Sequence, residues 1–383
     1  MGPFSLAWRQ LDAQRLRFLM AVAGVAFAVV LMLMQLGFRN ALFSSAVRVH
    51  QRLRADVVLL HPQSRYLVMM RSFPRRRLDQ AVGAAGVASV SAVHVGFPFW
   101  DAGDNESARN ILVVGFDPKE PVLDLPEVEA QLGRLQRPDQ VLFDRASRPE
   151  YGPIAERLRA TGPMDCQVNE HRFRIVGLYA LGTSFGVDGT MITSDLGFLR
   201  MYEGRPPGLI ELGLVRVRPG TDPEAVRDEL RRMLPADVLA LTKAEFVQRE
   251  IAYWNGVTPI GYVFAFGVLL GFGVGAVIVS QILFADVAEH LPEYATLKAI
   301  GHGNPFLYTV VIAQALILSL LGYVPGLALS LGLYKVAESA TGLPMRLPPR
   351  LGLFVLVLTV AMCALSGAVA LRKVQAADPA EVF

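Results

Sequence analysis

Residues 18–38 read FLMAVAGVAFAVVLMLMQLGF, 21 consecutive positions without a charged side chain. As a helix, such a run covers about 30 Å, the thickness of a bilayer's hydrocarbon core. A secretory signal carries only about 7–15 apolar residues before a small-residue cleavage site. This run is longer and offers no such site, so it reads as an uncleaved membrane span. Further apolar runs follow at 260–284, 305–334 and 351–371. The sequence therefore predicts a membrane α-helical protein with four transmembrane helices, one plus three, around a large water-soluble domain at 39–258. Pro325 inside the third run is expected to kink that helix.

Outward from the spans lie an N-terminal segment (1–17), loops at 285–304 and 335–350, and a C-terminal tail (372–383). Arg9, Arg15 and Arg17 before the first span, with Arg372 and Lys373 after the last, put both termini in the cytoplasm. Lys335, Arg346 and Arg350 in the short outer loop pull the other way.

Hydrophobic residues make up 52% of the chain and concentrate in the four runs, while the formal net charge is only +3. Residues 39–258 balance 28 Lys and Arg against 27 Asp and Glu, which leaves no nucleic-acid footprint. Cys166 and Cys363 fall in different regions and imply no disulfide framework. The histidines show no HExxH or CxxC spacing, and no GxSxG elbow occurs, so neither a metal site nor a hydrolytic site is predicted. The four runs contain no charged side chain, and Gln35, Gln281 and Gln314 are the most polar groups in them. Ion- and proton-driven carriers need intramembrane acids or bases. The energy for any transport is expected from elsewhere.

Segments 55–60, 111–116, 173–179 and 212–217 have strand length and β-branched content. Thr221 to Glu224 and Thr242 to Glu245 read as capping boxes, the first opening a helix to about Leu234, the second one that leads into the second span. Residues 40–54 lack Gly and Pro, so the first span's helix is expected to continue outward. Together these two helices would form stalks. The basic run of Arg71 and Arg75–Arg77 reads as a solvated loop, with an anionic lipid or partner surface as the alternative.

Gly267, Gly271 and Gly275 recur at four-residue spacing and line one face of the second span. Small residues in register let another helix approach closely, within the chain or across a homodimer. The loop DVAEHLPEYATLKAIGHGN at 286–304 predicts a short amphipathic helix. Pro292 suits its first turn, Glu293 its positive end, Lys298 its negative end and Gly301 its stop, with Tyr294, Leu297 and Ile300 as an apolar stripe.

TLKAIG at 296–301, between the second and third spans, resembles the coupling segment of the FtsX/MacB/LolC-type ABC permeases. AWRQL (7–11), MQLGF (34–38), SRPEYGPI (147–154), TPIGYVF (258–264), QILFADVAEHLPEYATLKAIG (281–301), GYVPG (322–326), MCALSG (362–367) and RKVQAADPAEVF (372–383) are similar to its DevC-type exporters. The resemblance implies a mixed α/β MacB-like periplasmic domain on helical stalks and a homodimer in the inner membrane of a Gram-negative-type bacterium. It implies a separate DevA-like cytoplasmic ATPase carrying ATP and Mg, a DevB-like periplasmic adaptor, a TolC-like outer-membrane duct, and a glycolipid or other amphiphile as cargo. The chain itself would bind no cofactor and catalyse nothing; none of its lysines sits in a Gly-Lys-Ser/Thr Walker motif. Glu289, Pro292, Glu293, Tyr294, Thr296, Leu297, Lys298, Ile300 and Gly301 would form the ATPase-coupling surface. LolC- or LolE-like lipoprotein release and FtsX-like control of a periplasmic hydrolase are the alternatives.

Overall fold

The computed structural model describes residues 7–9, 15–101, 109–184, 186–290 and 304–375. The main helices, in chain order, are α1 (Arg15–Ala46), α2 (Arg48–Arg52), α3 (Arg76–Val82), α4 (Pro126–Glu129), α5 (Ile154–Thr161) and α6 (Asp195–Met201). They continue with α7 (Pro223–Met233), α8 (Lys243–Gly256), α9 (Ile260–Glu289), α10 (Asn304–Thr341) and α11 (Pro349–Gln375). The strands begin with β1 (Val57–Leu60), β2 (Phe73–Pro74), β3 (Val87–Gly96), β4 (Phe99–Asp101), β5 (Arg109–Asn110), β6 (Leu112–Phe116) and β7 (Gln140–Asp144). Then come β8 (Met164–Val168), β9 (His171–Tyr179), β10 (Thr190–Ser194), β11 (Leu209–Ile210), β12 (Leu212–Val217) and β13 (Leu239–Thr242). Contacts divide the chain into Met1–Ala41 with Pro259–Phe383, and Leu42–Thr258.

In the first unit, α1, α9, α10 and α11 are long and apolar enough to cross a membrane. They outrun the apolar blocks: α1 ends eight residues past Phe38, and α9 five past Phe284. α10 continues as helix on both sides of Pro325. Ala21, Val25, Ala28, Val29, Met32 and Leu33 of α1 are buried against Val279, Leu283, Leu318 and Met362 from the other three helices. An apolar helix has no hydrophobic reason to prefer its neighbours over lipid, so packing of small residues decides this arrangement.

In the second unit, eleven strands form one mixed sheet in the order β13-β1-β12-β3-β6-β10-β7-β9-β8-β4-β5. Among the described residues, β6/β10 and β7/β9 are the pairs that run parallel. The strand period of two feeds different cores on the two faces. Val57 and Leu59 point to a cluster with Leu78 of α3 and Val226 and Leu230 of α7. Val58 and Leu60, one residue over, join Val93, Leu112, Val114 and Leu142 on the opposite face. Further along, Ile111, Val113, Val141 and Phe143 pack with Ile154 of α5 and Phe198 of α6. Burial on both faces explains why these strands read as continuous apolar runs instead of alternating ones. Gly213 and Gly115 let the helices approach; a Cβ on Gly115 would lie 2.6 Å from that of Phe198.

Local signals act as their chemistry requires. The Thr242 box closes in both directions, Thr242 Oγ1 accepting from Glu245 N–H at 3.2 Å and Glu245 Oε2 from Thr242 N–H at 2.8 Å. The predicted box at Thr221 is displaced by one residue. Asp222 is the cap, accepting from Glu224 N–H, because Pro223 has the fixed backbone angle suited to the first helical position. The basic run divides: Arg71, Arg75 and Arg76 are exposed, whereas Arg77 is buried and Phe73 is fully enclosed. The solvated-loop reading therefore fails at Arg77, which turns inward to bind Asp237 and Gln80.

Candidate functional site

The glycine stripe lies against α1 of the same chain. A Cβ on Gly267 would meet the Gln35 side chain (2.7 Å from Oε1), on Gly271 Leu31 (3.2 Å), and on Gly275 Ala28 (2.6 Å) and Met362. A second pair acts from α10, where Gly322 and Gly326 would place a Cβ 2.5 Å from Val25 Cβ and 2.8 Å from Val29 Cβ. Tyr334 of α10 donates its hydroxyl to the Leu33 carbonyl at 2.5 Å. α1 is thus the helix on which two glycine faces converge, and the same helix runs on to Ala46.

At the other end of α9 a polar group gathers. The Asp286 carboxylate, 6% exposed, accepts from the Gln314 side-chain amide of α10 at 2.9 Å. His290, one turn on, places Nδ1 2.8 Å from the Asp286 carbonyl and 3.6 Å from its carboxylate. Glu289 forms an ion pair with Arg17 of α1. Between these, Val287 is buried with Ala7, Val310, Val311 and Ala313. The last turn of α9 is fixed to α10 by a buried hydrogen bond, to α1 by an ion pair, and to a small apolar cluster by packing.

Of the predicted coupling residues, Glu289 sits here, and its partner is Arg17. Pro292, Glu293, Tyr294, Thr296, Leu297, Lys298, Ile300 and Gly301 lie outside the described residues. Sequence reading passed over Asp286, His290 and the pairing of Gln314. The apolar block ended at Phe284 because hydropathy falls there, but no helix breaker follows until Pro292. That missing breaker was the available signal. It also amends the expectation of charge-free spans: the blocks are free of charge, yet Asp286 is buried inside a span-length helix. Among the described residues, no group of three or more His, Cys, Asp or Glu side chains could hold a metal.

Residues 18–233 match the MacB-like periplasmic core domain, and residues 257–379 match the FtsX-like permease C-terminal region. The chain is 25% identical over 239 residues to uncharacterised ABC transporter permeases of Mycobacterium bovis and Mycobacterium tuberculosis, covering 62% of this chain and 62% of theirs. The periplasmic region of MacB from Actinobacillus actinomycetemcomitans aligns at 10% identity and TM-score 0.35, covering 52% of this chain and 94% of that one. The extracellular domain of the ABC-type transporter YknZ from Gram-positive bacteria aligns at 11% and 0.34, covering 49% and 100%. The core-domain match takes in more than half of the residues, so the chain belongs to the MacB-like periplasmic core domain family, with an FtsX-like permease region at its C-terminal end.

Proposed function

We propose that this chain is the membrane subunit of an ABC exporter and works as a lever. A separate cytoplasmic ATPase, DevA-like, would press on residues 289–301 when it closes on ATP. The spans would pass that displacement through α1 to the domain at 42–258, which would drive a glycolipid or other amphiphile toward a DevB-like adaptor and a TolC-like duct. The chain would act as a homodimer in the inner membrane of a Gram-negative-type bacterium, with its large domain in the periplasm. It would contribute no catalytic group; ATP and Mg belong to the partner.

The observation that carries this reading is the packing of α1. Glycine faces of α9 and α10 both close on it, and its helix extends past the apolar run to Ala46. The family match and the homology to ABC permeases support the motor-driven half of the reading.

Substituting Leu297→Asp tests it. The variant is expected to insert in the membrane and bind nucleotide-hydrolysing partner less productively, so that cargo accumulates as it does when the chain is deleted. Undiminished export would sink the coupling assignment. Co-purification separates the neighbouring roles: an adaptor and duct support export, a periplasmic hydrolase an FtsX-like regulator, and a lipoprotein chaperone a LolC- or LolE-like release subunit.

A further inference from the structure

The polar group at the end of α9 has a shape suited to one task. We infer that Asp286, Glu289, Arg17 and Gln314 form a transmission joint, a set of positioning residues that couples displacement of the end of α9 separately to α1 and to α10. The inference rests on the lever reading above and assigns the parts through which the lever is driven. It also changes the role of Glu289, from a contact with the ATPase to an internal link to α1.

Three observations carry it. First, the residues come from three different spans, Arg17 from α1, Gln314 from α10 and the acids from α9. The acids sit in the last turn of α9. A displacement of a helix end is absorbed by fraying unless that last turn is tied down. Here it is tied on two sides, with Val287 fully buried between the ties.

Second, the acids differ in environment, and so would the ties they make. Asp286 is buried, and its bond to Gln314 lies in surroundings where an unmade hydrogen bond costs most. Glu289 and Arg17 are about half exposed, 51% and 46%. Solvent screening weakens that pair, which suits a contact that must shift during a cycle. One tie is firm and the other adjustable.

Third, among the described residues, the side of α9 leading from Asp286 into the span is apolar. On the same side of α9, Leu283 and Val279, one and two turns further into the span, are fully buried in an apolar cluster. A proton or ion relay needs a succession of polar groups. The surroundings of Asp286 serve anchoring.

The test uses the full chain in lipid nanodiscs with its co-purified ATPase, comparing hydrogen exchange with ADP and with ATP plus vanadate. Peptides covering 42–56 report on what α1 delivers, and peptides covering 305–316 on α10. Wild type is expected to show a nucleotide-dependent change in both. Arg17→Glu and Glu289→Arg should each reduce the change in 42–56 by about tenfold, a typical coupling magnitude. The double reversal Arg17→Glu/Glu289→Arg should restore it, which a merely structural loss would not do. Asp286→Asn, which can still bond Gln314, should retain the response in 305–316, whereas Asp286→Leu should lose it. Exchange within 112–116 serves as the folding control. Single reversals that respond as wild type does, a double reversal that fails to restore, or an Asp286→Asn as defective as Asp286→Leu would each overturn the joint while leaving the lever standing. A wild-type complex with no nucleotide-dependent change in either peptide would overturn the lever and the joint with it.

Discussion

Glu250 of α8 holds His50 of α2 at 3.3 Å, and the two side chains are 4% and 0% exposed. The same carboxylate accepts from Leu67 N–H at 3.0 Å and from the Trp254 indole at 2.9 Å, while His50 stacks on Phe246 at 4.4 Å. A single acid thus binds both helices that flank the soluble domain to the loop that follows β1.

Removing that acid takes the acceptor from the buried Leu67 N–H and the half-buried Trp254 indole, and the neighbouring charge from His50. Glu250→Ala is expected to destabilise the soluble domain by about 3 kcal/mol, the cost of leaving buried donors without an acceptor. Glu250→Gln keeps one acceptor oxygen and should lose roughly half as much. Denaturation of the full chain in detergent, followed by tryptophan fluorescence, measures both. Equal stability of Glu250→Ala and wild type would refute this role.

Acid should loosen a different contact. Arg77 Nε donates to both oxygens of Asp237 at 3.0 and 3.1 Å, and Nη2 donates at 2.7 Å. These hydrogen bonds chiefly hold the Asp237 carboxyl below the usual carboxylate range; desolvation opposes them, and the Arg77 charge adds to them. A carboxyl with a depressed folded pKa adds stability that is fully present above its unfolded pKa, about 3.9, and lost as pH falls through the folded value. Because Asp237 is 36% exposed, solvent trims the contribution to about 1 kcal/mol. Thermal midpoints of wild type and Asp237→Asn should therefore differ at about pH 7 and converge as pH falls through the folded-state pKa of Asp237. A gap that persists in acid would show that the contact is not electrostatic.

How much of this was legible differs by residue. The spans were plain because a bilayer demands long apolar runs, and strands such as β6 and β9 were plain because β-branched residues cluster between turns. Arg77 was not, since a run of arginines looks solvated until a distant Asp237 supplies a partner. Asp286 was hidden for a related reason: hydropathy averages stop where polarity begins, but this helix runs on through polar residues to Glu289. His50 and Leu67, which meet Glu250, and Gln314, which meets Asp286, lie far off in sequence, and no local spacing announces them.

Asp144 at the end of β7 makes a further test of the core. Fully buried, it accepts from the backbone N–H groups of Ala146 (2.9 Å), Leu181 (3.1 Å) and Gly182 (2.7 Å) and from the Thr190 hydroxyl (3.2 Å). Thr190 Oγ1 in turn accepts from the Tyr179 hydroxyl at 2.8 Å. Burial first, and the Asp144 charge second, push the Tyr179 hydroxyl well above its ordinary pKa, so it stays a donor. Asp144→Ala should cost about 3–4 kcal/mol, among the largest single losses available in the domain. Asp144→Asn should recover part of that loss. Chemical denaturation with exchange mapping around 179–190 checks both, and a loss below about 1 kcal/mol for Asp144→Ala would contradict the network's role.

Gly275 and Gly273 lie two residues apart on α9 and should respond in opposite ways. A Cβ at Gly275 would collide with Ala28 and Met362, whereas Gly273 has nothing within 4 Å. Gly275→Leu must therefore push α1 or α11 aside, at about 1–3 kcal/mol for overpacking a close helix contact. Gly273→Leu meets open space and gains helix propensity. The expected result is a lower unfolding temperature in detergent for Gly275→Leu and an unchanged or higher one for Gly273→Leu. Size-exclusion chromatography with light scattering separates the two uses of the stripe. If the stripe packs within the chain, Gly275→Leu loses stability at constant mass per particle. If it joins two copies, the particle mass halves before the fold weakens, and the intrachain assignment of the stripe to α1 falls.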